Sequence, residues 1–274
     1  MSGLGFGYNL NSEKTPKDVS SLTTGWVNHF LSRHPELAIR KAQTLDRLRV
    51  RAMNEETLSF YFKLLEMAFL KFKQLSGGAE LSPGRIFAMD KTGIQQNSAQ
   101  KYVIAEKGRR SVYSIIPESR DHVTLVAYAS ADGHSGSPYF ILPKVINNYL
   151  GSHFVGSKVS SSPTRWITDS LFEDWCQFFV EDMRHRRQAP HLWCLLVLNS
   201  LNQHTLNPKA LQILNSANIL AISLPSHTSH ILQVHDLSIF GPLKKYLRSN
   251  VSQYVRENGP EVKLQHLPAF LEEP

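Results

Sequence analysis

The chain has 274 residues, 42% hydrophobic and 19% charged, enough for one sizeable α/β core with a smaller appendage. Lys and Arg number 30 against 23 Asp and Glu, a formal charge of +7 that favours polyanionic partners, nucleic acid first. No run approaches the roughly 20 apolar residues of a membrane helix, and Cys176 and Cys194, each beside a tryptophan, read as small core residues rather than a disulfide or zinc pair; a soluble intracellular chain with no membrane partner is expected.

Residues 1–23 are rich in Gly, Ser, Asn and Lys without periodicity and read as a disordered start. From Thr24 to about Arg51 the pattern is helical and basic. A clearer amphipathic helix follows, capped by Asn54, with Leu58, Phe62, Leu65, Phe69 and Phe72 predicted on its buried face. It ends near Ser76-Gly77-Gly78, which marks the boundary of a small helical segment, 24–78.

Beyond that boundary strands and helices alternate. Arg85–Met89 is a short apolar strand ending at Asp90. His122–Ala129 and Ser137–Leu142 form a hairpin around Asp132-Gly133. Thr168 or Asp169 caps a helix with Phe172, Trp175, Phe179 and Met183 on one face, which makes these aromatics core rather than a stacking platform. Leu195–Leu198 is a buried strand ending at Asn199, Asn207-Pro208 starts a helix, and Ile219–Leu224 is a further strand. Pro242 to about Val255 reads as a helix carrying Lys244, Lys245 and Arg248, and 258–274 as a C-terminal tail. The order predicts an α/β fold, a mixed sheet flanked by helices, over 79–257.

Ligands of open α/β sheets gather where strands end. Asp90 and Asn199 each follow an apolar strand, and Asp236 follows the last one. Three acidic or amide side chains at one sheet edge are what a two-metal phosphodiester site uses, because carboxylate oxygens offset the charge of two hard cations. By itself the pattern is more often that of turn and cap residues.

The local words carry more. Met89-Asp90-Lys91-Thr92-Gly93-Ile94 resembles the Asp-Glu-Thr-Gly motif of pogo-type transposases of the DDE endonuclease superfamily. Leu195–His204 is similar to that family's second block, and Leu224–Asp236, followed by Phe240-Gly241-Pro242-Leu243-Lys244, to its third and most specific one. The stretch from Trp166-Ile167-Thr168 to Trp175 matches the intervening helix, and Trp26–Leu37 resembles the last helix of a centromere-protein-B-type helix-turn-helix. The resemblance, to mariner/pogo-type transposases over roughly 24–257, implies an RNase-H-like fold, Mg²⁺ or Mn²⁺, DNA as partner, a homodimer as candidate assembly, and the nucleus as compartment. By position, Asp90, Asn199 and Asp236 become the catalytic set and Asp90 and Asp236 the metal ligands.

Asn199 stands where the family has its second Asp, so impaired cleavage is expected. The alternatives are a host-recruited DNA- or protein-binding module without catalysis, and an active nuclease using a substitute ligand such as Asp169, Glu173 or Asp174. Lys107, Arg109, Arg110, Lys244 and Lys245 are candidate phosphate contacts, although charge runs are commonly solvated faces. His227, His230 and His235 lack a completing Cys or Glu and read as loop-ordering residues rather than a metal site, and His204 as a turn cap.

Overall fold

The computed structural model describes residues 24–40, 45–95, 107, 122–151, 153–164, 166–184, 191–199 and 207–272. The chain divides into two compact units, Met1–Leu45 and Asp46–Pro274. In the first, helix α1 (Thr24–Arg33) buries no residue, and Trp26 and Phe30, one turn apart, stack at 5.3 Å between ring centroids. The single helical segment expected from Thr24 to Arg51 is split. Pro35 disfavours helical geometry at the residue before it, and helix resumes in the second unit at α2 (Arg47–Ala52), capped by the Asp46 carboxylate accepting from the Arg49 N–H at 2.9 Å.

Helix α3 (Glu55–Leu75) starts as the sequence predicts, with the Asn54 side chain accepting the Thr57 N–H at 2.8 Å and Glu55 and Glu56 at the positive end of the helix dipole. Its buried face differs from the expected one. Tyr61, Ala68 and Phe72 are buried, while Phe62 and Phe69 are exposed. The small Ala68 lets the helix approach Leu195 and Ile222 of the sheet closely, which turns the phenylalanines outward. Gly77 and Gly78 take positive φ and end the helix. That glycine pair does not separate the compact units, because α3 already packs on the sheet.

The sheet has six strands in the order β4-β3-β2-β1-β5-β6. They are β1 (Ile86–Gln95), β2 (His122–Ser130), β3 (Tyr139–Leu142), β4 (Lys158–Ser161), β5 (Cys194–Leu198) and β6 (Ile219–Ser223). β1 pairs antiparallel with β2 along nearly its whole length, and parallel with β5 only from Ile86 to Met89. β5 and β6 continue the parallel half, and β4 closes the far edge parallel to β3. Asp90 therefore lies inside β1 rather than at its end; what stops there is the pairing with β5. β4, with the polar sequence Lys-Val-Ser-Ser, gave no apolar signal.

Alternation along β1 assigns the two faces. Phe87 and Met89 meet α4 (Asp169–Arg184) and α5 (Pro208–Ser216) through Phe172, Trp175, Phe179, Ala210 and Leu214. The three aromatics are core, and Cys176 and Cys194 are buried in the same cluster, as expected. Ile94 meets the other layer, α7 (Phe240–Asn258), which follows the single turn α6 (Ser229–Leu232), and α8 (Leu267–Leu271). The stretch expected as a tail thus contributes Val262, Leu264, Leu267, Phe270 and Leu271 to the core. The Asn250 side chain donates to the Phe270 carbonyl at 2.9 Å and the Tyr246 hydroxyl to the Glu272 carbonyl at 3.2 Å, tying it to α7.

The C-terminal segment should be part of the cooperative fold. Leu267→Ala removes a fully buried side chain and should lower stability by about 2–5 kcal/mol in urea unfolding; a loss under about 0.5 kcal/mol would show the segment to be a detachable tail.

Candidate functional site

The register Met89↔Leu198 is the last step of the β1–β5 ladder, so the next residues on the two strands, Asp90 and Asn199, emerge side by side. The Asn199 amide Nδ2 donates to Asp90 Oδ1 at 3.1 Å. Asp90 is 2% exposed and Asn199 half-buried.

Asp236 comes from a different element. It is exposed on a π-helical turn, His235–Ile239, that runs directly into α7. The segment before that turn is fixed to β1 by one buried bond, in which Gln233 Nε2 donates to the Met89 carbonyl at 3.1 Å. Upstream, buried Thr228 orders the loop. Its hydroxyl donates to the Pro225 carbonyl at 2.7 Å, and its own carbonyl accepts the Ile231 and Leu232 N–H groups. His227 takes a positive φ of 63° at the turn.

Electrostatics follow from this packing. Burial pushes the Asp90 carboxyl up from 3.8 to about 6. The Asn199 amide and the Lys91 backbone N–H hold it down in part, and the charge of Asp236 raises it further. Desolvation pushes His235 down to about 4, so its ring is neutral near pH 7. His235 packs on Phe240 with its Nδ1 3.4 Å from Gln233 Oε1, which makes it a wall of the loop. Both ring nitrogens of His230 are buried without a hydrogen-bond partner among the described residues.

The donor set does not fit a pair of divalent cations. The three positions offer two carboxylates at most, Asp90 and Asp236, and the third turns an amide N–H toward Asp90. That N–H takes up an Oδ1 lone pair that a metal would use, and the amide adds no charge to offset two cations. Among the described residues no group of three His, Cys, Asp or Glu side chains is arranged to hold a metal ion. Two of the alternative acids are engaged elsewhere. Glu173 accepts from the Asn207 amide at 2.7 Å, and Asp174 accepts from Lys158 at 2.5 Å and from the Tyr139 hydroxyl at 2.7 Å.

Of the expected basic contacts, Lys107 and Lys245 are exposed and Lys244 is half-buried, the last two in the first turns of α7 beyond Asp236. Arg109, Arg110 and His204 lie outside the described residues. Sequence reasoning missed Gln233; its signal was a glutamine inside the apolar run Ile231-Leu232-Gln233-Val234. It also missed the contact of Lys91 with Trp166, residues that no sequence period links.

Residues 146–267 match the profile of the DDE superfamily endonuclease. The chain is 24% identical over 198 residues to the MFS-type transporter clz9 of Cochliobolus lunatus, covering 68% of this chain and 20% of that protein. It is 19% identical over 244 residues to the pogo transposable element with KRAB domain of Homo sapiens, covering 88% of this chain and 37% of that protein. The chain therefore spans about a fifth and a little over a third of the length of these two relatives. No helix among the described residues is long and apolar enough to cross a membrane. The fold is that of the Mos1 mariner transposase. The paired-end complex with left transposon end superposes at a TM-score of 0.53 with 10% identity, over 89% of this chain and 65% of that one. The paired end complex with Mn gives 0.55 with 10% identity, over 91% and 67%.

The raised Asp90 carboxyl fixes the sign of one pH effect. Between 3.8 and about 6 the folded chain keeps a proton that the unfolded chain has released, so this group favours folding at low pH and that contribution is lost as pH rises through 6. Asp90→Asn, which carries no charge at any pH, should exceed the parent chain in stability by up to roughly 3 kcal/mol at about pH 8, with the gap closing below about pH 4. Urea unfolding at both pH values checks this; a gap independent of pH would contradict it.

Proposed function

We propose that this chain, a relative of mariner/pogo-type transposases with a DDE superfamily endonuclease domain on an RNase-H-like fold, is a transposase-derived nucleic-acid-binding protein whose strand-cleavage centre is silent. The observation that carries this reading is the Asn199–Asp90 hydrogen bond. In-line displacement at a phosphodiester through two cations needs anionic ligands that grip both ions. Here Asp90, Asn199 and Asp236 offer two charges at most. A missing charge of this kind costs several kcal/mol of transition-state stabilisation, hence orders of magnitude in rate. Mg²⁺ or Mn²⁺, which would supply the Lewis acid in an intact centre, has no complete set of ligands to hold it.

Binding does not require the lost carboxylate. The formal charge of +7 and the lysines Lys107, Lys244 and Lys245 provide phosphate contacts, and the named complex of Mos1 with a transposon end supports DNA as the partner class. Such contacts position a backbone without reading bases, so affinity should fall steeply with salt. With DNA as the partner, the nucleus is the compartment proposed for it.

Two assays test this reading. In a supercoiled-plasmid nicking assay with Mg²⁺ or Mn²⁺ the parent chain should show no activity, and Asn199→Asp should raise nicking by more than about tenfold. In gel shifts, duplex binding should weaken by orders of magnitude between about 50 and 200 mM salt without preference for one sequence. Nicking by the parent chain that Asp90→Ala abolishes, or tight salt-resistant binding to one sequence, would overturn the proposal.

A further inference from the structure

Lys91 follows Asp90 on β1 and so belongs to the opposite face of the sheet, the one shared with Phe87 and Met89. The β1–β5 pairing has ended by this point, so Lys91 sits where the sheet opens beside the site. Its ammonium lies over the ring of Trp166, 5.5 Å from the centroid. Trp166 is 66% exposed, yet it is rigidly mounted. The next residue, Ile167, is 2% exposed in the core. Thr168 then caps α4, its hydroxyl accepting the Leu171 N–H at 3.3 Å and its carbonyl the Phe172 N–H at 2.8 Å.

Cation–aromatic contacts occur about once per 70–80 residues in proteins, so the pair alone is ordinary. Its setting is not. An indole fixed by a buried neighbour and a helix cap, but left to solvent, presents a flat apolar surface that folding did not use. The cation seated on it is adjacent in sequence to the buried acid of the candidate site. A planar aromatic surface with a fixed cation matches a nucleotide, whose base stacks while its phosphate meets the ammonium. Continuous duplex DNA offers no free base face, because each base is covered by its neighbours. The strand that fits therefore has an unpaired base.

We propose that Lys91 and Trp166 form a single-strand platform at the edge of the DDE site, the indole stacking on an unpaired base and the Lys91 ammonium holding a phosphate of the same strand. This rests on the nucleic-acid-binding reading above.

The test uses the full chain and two fluorescent probes, a short single-stranded thymidine oligonucleotide and the same backbone made abasic. Trp166→Ala should weaken binding to the thymidine strand about tenfold and leave the abasic strand unchanged. Lys91→Gln should weaken both. Circular dichroism of each variant should match the parent, because the Trp166 ring is largely in solvent. If the parent binds the thymidine strand and Trp166→Ala binds it equally well, or loses both probes alike, the platform is refuted while the DNA-binding reading stands. If the parent binds neither probe and no duplex, both readings fall.

Discussion

One hydrogen bond joins the centre of the sheet to its chemistry, from the Asn199 amide to the Asp90 carboxylate at 3.1 Å. It exists because β1 and β5 run parallel and their ladder closes at Met89↔Leu198, which brings the next residue on each strand face to face. Asp90 is buried, and burial alone penalises its charge. A neutral donor opposite it relieves part of that penalty. A second carboxylate in the same place would increase it, because two like charges at hydrogen-bond distance cannot both ionise readily without cations between them. Asparagine at this position therefore favours the metal-free fold.

The other parts of the site are organised around that junction. Gln233 reaches back to the Met89 carbonyl, so the segment leading to Asp236 is anchored one residue from Asp90. The anchoring is buried, while Asp236 itself is exposed on a π-helical turn. The sheet separates two surfaces of different character. On the α7 side lie Asp90 and Asp236, with Lys244 and Lys245 on α7 itself; on the α4 side Lys91 meets Trp166.

Much of this architecture was legible in the residues. The apolar runs Leu195–Leu198 and Ile219–Leu224 announce buried parallel strands, and the Asn54, Thr168 and Asn207 caps mark helix starts that the structure retains. The three site positions were legible through motif words rather than periodicity, since an acid after an apolar strand is also an ordinary turn residue. What escaped has physical reasons. β4 is a short polar edge strand held by pairing with β3 and carries no alternation. The face of α3 was misplaced because every side of that helix carries large apolar residues, and the small Ala68 decides which side meets the sheet. The 258–274 stretch joins the core through apolar residues too few and too closely grouped to show a period. The Gln233 bond and the Lys91–Trp166 contact depend on elements brought together only by the tertiary fold.

In the proposed reading an amide in the middle position denies the site its cations, and Mn²⁺ titration followed by electron paramagnetic resonance tests this. The parent chain should show only weak Mn²⁺ binding, unaffected by Asp90→Ala, and Asn199→Asp should create a bound Mn²⁺ signal that Asp90→Ala then removes. Tight Mn²⁺ binding by the parent chain that is lost on Asp90→Ala would contradict it.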